Sequence, residues 1–240
     1  MITNSTLQIL VLAITIMNLP QSQYKEDIVN HNQMLEHLVR PAGVQAPTLI
    51  LLHGFGSNEQ SMFKLSSQIP KEWLVISVRA PFQIGYNAYK WYDVAMVNGQ
   101  ISLNIDHEEQ SRKKLIEFID QVLEKYSGNK DRVIVAGFSQ GANMSLALGL
   151  TAPDKVKGFA CFSGRYLEEI TPFVAKSIDL NSSKAFIAHG SEDQMLPFSN
   201  ATETVSKLKA LGLSVDFYKD KIGHTISDRE LIAFIAWLKS

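Results

Sequence analysis

Apolar positions along this chain fall into short continuous runs rather than long stripes, and most runs close on Gly, Pro, Ser or Asp. Strand-length apolar runs stopped by turn residues predict strands buried on both faces. Residues 47–54 (PTLILLHG), 73–81 (WLVISVRAP), 131–139 (DRVIVAGFS), 156–164 (VKGFACFSG) and 183–193 (SKAFIAHGSED) are five such runs. Residues 213–220 (LSVDFYKD) alternate apolar with polar and suit a sixth strand at an edge. Residues 33–41 (QMLEHLVRP) predict an additional strand ahead of the first.

Helical patterns lie between these runs. In residues 106–128, Leu115, Ile119, Val122 and Tyr126 recur at helical spacing. Asp106 with Glu109 suits a capping box at its start, and Gly128 suits the stop. Residues 199–212 and 227–239 are also helical, the latter opened by Ser227 with Glu230. Strands alternating with helices predict a mostly parallel sheet covered on both faces. One connection differs. Ala80 to Asn104 is long, aromatic and without clear periodicity, and long ordered loops of this kind often serve a site.

Composition adds limits. With 45% hydrophobic and 20% charged residues, the 240-residue chain has enough apolar material for a sizeable core. A formal net charge of -1, without a dense Lys/Arg cluster, gives no sign of a nucleic-acid surface, and no nucleic-acid partner is expected. The single cysteine, Cys161, excludes an internal disulfide framework; in its apolar run it reads as a small buried hydrophobe. Residues 1–32 form an extension ahead of the 33–240 domain. Its run Leu7 to Met17 is too short for a span, which takes about 20 apolar residues. It matches the apolar part of an export signal, although no basic residue precedes Lys25 and NLPQSQ is a poor cleavage site. Export is expected if residues 7–17 act as that signal, and a cytoplasmic location if they do not. Membrane contact is expected only through this segment.

The chemistry centres on residues 137–141, GFSQG, between an apolar strand and a small-residue helix. Gly-x-Ser-x-Gly at a strand-to-helix corner is the nucleophile-elbow pattern. The turn is sharp, so bulky side chains two positions either side would collide, and Gly137 and Gly141 relieve the crowding. Ser139 would stand above the sheet beside a helix N-terminus, where N–H groups receive developing negative charge. A serine hydroxyl needs a base, and in this pattern the order is Ser, acid, His. Two carboxylates compete at the end of the fifth run, Glu192 and Asp193. Asp193, the shorter side chain beside the QMLP turn, is taken as the acid. His224, after the last strand, is taken as the base. His31 and His37 lie before or on the first strand, His107 opens a helix, and His53 and His189 read as structural. No Cys/His cluster has zinc spacing, so no metal is expected. One oxyanion donor is expected from the N–H of Gln140, the other from the HGFG turn, residues 53–56.

Five motifs, LLHGFGSNE, RAP with WYD, GFSQGANMS, HGSEDQMLP and GHTIS, stand in the order seen in the phospholipase/carboxylesterase family of α/β-hydrolases, which this chain resembles from about residue 33 to its end. The resemblance implies an α/β-hydrolase fold without a large cap domain and without a cofactor, and triad roles for Ser139, Asp193 and His224. It also implies that Leu52 supplies the second oxyanion N–H beside Gln140. Trp91, Tyr92 and Phe55 would border the acyl pocket. The implied reaction is hydrolysis of small-molecule carboxylic esters. The acyl chain is expected to be short to medium because the long connection offers a groove and no obvious deep tunnel, and a monomer or homodimer is expected. A thioesterase or lysophospholipase would use the same triad. A catalytically silent binding module of this fold is the non-enzyme alternative, and reaction with a fluorophosphonate separates it from an enzyme.

Overall fold

The computed structural model describes residues 34–97, 100–180 and 182–240. The extension 1–32, with its apolar run and His31, lies outside the described residues. The strands of the main sheet are β1 His37–Arg40, β2 Ala46–Leu52, β3 Leu74–Val78, β8 Gly128–Phe138, β9 Gly158–Phe162, β10 Lys184–Gly190 and β11 Ser214–Asp220. Their spatial order is β1-β3-β2-β8-β9-β10-β11. β1 runs antiparallel to β3; every other neighbouring pair is parallel. The five apolar runs between residues 47 and 193 supply β2, β3, β8, β9 and β10, and LSVDFYKD is the half-exposed edge strand β11.

Alternation along the strands divides the core in two. Ile50, Leu52, Val133, Val135, Phe159, Cys161 and Ile187 face one side, against helices α2 Ile105–Lys125, α3 Gln140–Thr151 and α5 Ser199–Ala210. Leu49, Leu51, Ile134, Ala136, Ala160, Phe162 and Phe186 face the other, against the short α1 Glu59–Phe63 and the C-terminal α6 Asp228–Leu238. Because successive strand residues point to opposite faces, a run apolar at every position can feed both layers. Between β9 and β10 the chain passes through a 3₁₀ turn, Glu168–Phe173, and the single-turn α4 Ser177–Leu180.

Three expectations are corrected. The Ala80–Asn104 connection is ordered into two antiparallel hairpins: β4 Phe82–Gly85 with β5 Ala88–Lys90, and β6 Val94–Val97 with β7 Gln100–Leu103. Their strands are three or four residues long, too short for a period to show. The N-cap of α2 is Asn104, not Asp106; its side chain accepts from the His107 N–H at 3.2 Å. Gly128 does not stop that helix. Ser127 takes the left-handed conformation (φ 54°), and Gly128 opens β8, where a Cβ would meet the Thr48 hydroxyl at 2.6 Å.

The capping box of α6 is formed as expected. The Glu230 N–H donates to Ser227 Oγ at 3.1 Å, and the Ser227 N–H donates to Glu230 Oε2 at 2.9 Å. Glu230 is 1% exposed, and burial pushes its carboxyl from 4.5 up to about 7 against the opposing Ser227 bond. The folded chain therefore keeps a proton that the unfolded chain releases. This group's contribution to stability is full below about pH 4.5 and is lost as pH climbs through about 7. Glu230→Gln keeps an acceptor for the Ser227 N–H but cannot ionise. Its Tm relative to wild type should therefore rise steadily from pH 5 to pH 8; a pH-independent difference would contradict the raised pKa.

Candidate active site

The parallel order brings the C-terminal ends of β2, β8, β10 and β11 to one edge of the sheet, where open α/β folds place their sites. β8 ends at Phe138 and α3 begins at Gln140, leaving Ser139 alone to make the corner. Its backbone sits at φ 53°, ψ −118°, a costly conformation for a residue with a side chain. The Ser139 N–H donates to the Phe162 carbonyl at 2.9 Å and helps hold the corner. The flanking glycines are obligatory by contact. A Cβ on Gly137 would overlap the Gly141 carbonyl and lie 2.6 Å from Ala142 N; one on Gly141 would overlap the Leu52 carbonyl and lie 2.5 Å from that of His53.

Two loops meet Ser139. The Ser139 hydroxyl donates to His224 Nε2 at 3.0 Å, and His224 Nδ1–H donates to Asp193 Oδ2 at 2.7 Å. The Asp193 side chain is fully buried, and its other oxygen accepts the N–H groups of Met195 and Leu196 at 2.8 and 2.9 Å. The carboxylate is thus fixed by its own turn before it meets the imidazole. Glu192, the competing acid, points to solvent near Lys221, at 3.7 Å. Its backbone N–H, with that of Ser191, ties the acid loop to the base loop: Ser191 N–H donates to the Asp220 carbonyl and Glu192 N–H to that of Ile222. His189 is buried beneath, donating through Nε2 to the Leu196 carbonyl at 2.9 Å.

The glycine-rich turn after β2 borders the serine. A Cβ on Gly54 would lie 3.4 Å from Ser139 Cβ. The Gly54 carbonyl turns inward, accepting from His53 Nδ1 at 2.8 Å and from the Ser57 N–H at 3.2 Å. Across a trans peptide the Phe55 N–H points the opposite way. The N–H groups of Phe55 and Gln140 have no hydrogen-bond partner among the described residues. Leu52 does not fit the donor role expected of it. It lies inside β2, opposite Val78 and Gly137, fully buried, with its carbonyl rather than its N–H against Gly141. His53 is also structural: burial lowers its pKa to about 4, and its neutral Nε2 accepts the Ala80 N–H at 3.0 Å. Cys161 is buried, and desolvation raises its thiol to about 12, which removes it as a nucleophile.

A groove of about 740 Å³ opens over Ser139 and His224, walled by Phe55, Leu65, Ile84, Phe138, Met195 and Ile226. Phe55 is where it was expected. Trp91 and Tyr92 are not. They are 0% and 2% exposed and lie under the site, because both carry polar atoms that found internal partners. Trp91 Nε1–H donates to the His53 carbonyl, and Asn143 Nδ2–H donates to the Tyr92 hydroxyl. The wall comes instead from Ile84, Gly85 and Ala88 of the β4–β5 hairpin and from Met195 of the acid turn. Only the fold brings these positions to the groove.

The sequence profile of the phospholipase/carboxylesterase family matches residues 34–240. This chain belongs to that family. Among phospholipase/carboxylesterase relatives, the carboxylesterase SOBER1 of Arabidopsis thaliana is 30% identical over 214 residues, covering 81% of this chain and 90% of the relative. An acyl-protein thioesterase 1 of Gibberella zeae is 27% identical, covering 84% and 94%. A carboxylesterase structure from Bacillus cereus superposes with a TM-score of 0.76 at 22% identity, covering 87% of this chain and 95% of that one. That likeness establishes the α/β-hydrolase fold of the phospholipase/carboxylesterase family, and no cap domain interrupts it among the described residues.

Proposed function

We propose that this chain is a serine hydrolase of carboxylic esters, with Ser139 as nucleophile, His224 as base and Asp193 as the orienting acid. The observation that carries the reading is the unbroken line Asp193–His224–Ser139 at hydrogen-bond distances, on a strained elbow at the floor of an apolar groove. With Nδ1–H held by the carboxylate, the lone pair of His224 Nε2 faces the serine, which is the tautomer a general base needs.

The steps follow from the geometry. Ser139 Oγ bonds to the substrate carbonyl carbon while its proton passes to His224 Nε2. The carbonyl π pair moves to oxygen, and the N–H groups of Phe55 and Gln140, with the N-terminus of α3 behind them, receive the charge. The intermediate collapses, the C–O bond to the alcohol breaks, and His224 returns its proton to the leaving oxygen. Water then attacks the acyl-serine by the same route and frees the acid.

The groove volume falls in the range that holds a drug-sized ligand, and its lining is mostly apolar, with Ser57, Ser61 and Thr225 the polar side chains besides Ser139 and His224. That supports uncharged esters with short to medium acyl chains. The thioesterase relatives make a thioester the competing substrate, and it shares every step above. A fluorophosphonate should label the wild-type chain at Ser139, and p-nitrophenyl esters should be hydrolysed fastest between short and medium acyl length. Absence of label overturns the reading. Faster turnover of a matched acyl-thioester moves the chain to the second substrate class without changing the residues.

A further inference from the structure

The segment 89–92 lines none of the groove, yet it is bonded to both sides of the oxyanion site. On one side the Gly56 N–H donates to the Tyr89 carbonyl at 2.8 Å, and the Tyr89 N–H donates to the Ser57 carbonyl at 2.9 Å. Trp91 Nε1–H donates to the His53 carbonyl at 2.8 Å. These bonds fall on either side of the Gly54–Phe55 peptide. On the other side, the Gln140 side chain pairs with the segment's backbone as a strand neighbour would. The Trp91 N–H donates to Gln140 Oε1 and Gln140 Nε2–H donates to the Tyr92 carbonyl, both at 2.8 Å. Gln140 is 5% exposed, so its carboxamide has no water to exchange with. Ser111 Oγ–H from α2 donates to the Trp91 carbonyl and holds the segment from behind.

We propose that segment 89–92 is a brace for the oxyanion site, and that the Gln140 carboxamide and the Trp91 indole are positioning residues for its two N–H donors. The inference rests on the serine-hydrolase reading above. Its physical basis is the steep dependence of an oxyanion donor's worth on placement: donors act when preset about 3 Å from where the charge will form, and they lose effect when the supporting contacts relax. Neither side chain touches substrate. The Gln140 carboxamide fixes the first turn of α3, from which its own N–H projects, and the Trp91 indole fixes the carbonyl that enters the glycine turn.

Gln140→Met keeps the length of the side chain and removes both bonds; Trp91→Phe keeps a ring and removes the indole donor. Each should lower kcat by roughly 10- to 100-fold, less than the ~100- to 1,000-fold seen when an oxyanion donor is deleted outright. KM should stay within about twofold, since the loss is confined to the transition state. Affinity for an arylboronic acid, whose hydroxyl occupies the oxyanion position on the serine adduct, should fall in parallel. The pH dependence of kcat/KM should keep its shape, because no contact among Ser139, His224 and Asp193 is altered. Folded variants that keep kcat within twofold of wild type overturn the proposal, as does a fall in kcat with boronate affinity retained. Loss of the fold in both variants also overturns it, since the contacts would then serve the core alone. Fluorophosphonate labelling of wild-type Ser139 separates the two levels: an unlabelled wild type sinks the hydrolase reading, whereas a labelled wild type with unaffected variants sinks only the brace.

Discussion

Ser139→Ala should lower kcat on a p-nitrophenyl ester by about 10³- to 10⁶-fold while leaving the chain folded. The upper end is what triads lose when the nucleophile is removed; the residual rate comes from the oxyanion donors and the groove. Folding should survive for a local reason. The Ser139 side chain makes no capping bond to α3, so the hydroxyl contributes little to the helix start, and its partner His224 can turn to water. The substitution leaves a Cβ at the same positive φ, so the strain is neither relieved nor increased. Tm should therefore stay within a few degrees of wild type. Kinetics, labelling and a thermal melt on one preparation decide the matter; a variant that keeps most of its rate means another group attacks the ester.

Asp193→Asn should cost about 10⁴-fold in kcat, the effect expected when an imidazole is turned to the wrong tautomer. The turn explains why. The carboxamide oxygen of that variant would still accept from the N–H groups of Met195 and Leu196, which leaves its amide nitrogen facing His224 Nδ1. Two donors cannot face each other, so the ring proton moves to Nε2 and the serine loses its base. Glu192→Gln removes only an exposed partner of Lys221, a contact of about 0–1 kcal/mol, and should leave kcat within about threefold. The paired kinetics discriminate sharply: a crippled Glu192→Gln beside an active Asp193→Asn would reverse the assignment of the acid.

Much of this was legible in the chain. Buried parallel strands need apolar residues at every position, and an elbow needs glycines at two fixed offsets, so β2, β3, β8, β9, β10 and Ser139 could be read directly. The place of His224 beside Ser139 was expected from chain order. What escaped depended on contacts across the fold. Ser127 adopts the left-handed conformation because Gly128 is wanted where Thr48 and Leu123 leave no room for a Cβ. Leu52 resembled a donor by its place beside HG, but the ladder had already claimed its backbone. Trp91 and Tyr92 looked like the wall of a pocket because aromatic residues in a long connection often are. Their polar atoms decided otherwise, and Ile84 and Met195, which no local pattern marks, took the wall.

The placement of His224, the proposed base, on the loop after β11 carries a consequence for how this protein fails. β11 is the last strand of the sheet, paired on one side to β10 and half exposed along its length, whereas Ser139 hangs from β8 near the middle. Edge strands open at lower free energy than central ones. An opening that peels β11 away withdraws His224 and leaves the serine, the oxyanion turn and both apolar layers near the centre in place. On gentle heating the proposed activity should therefore fall silent before the protein melts, reversibly, and with Ser139 still in position.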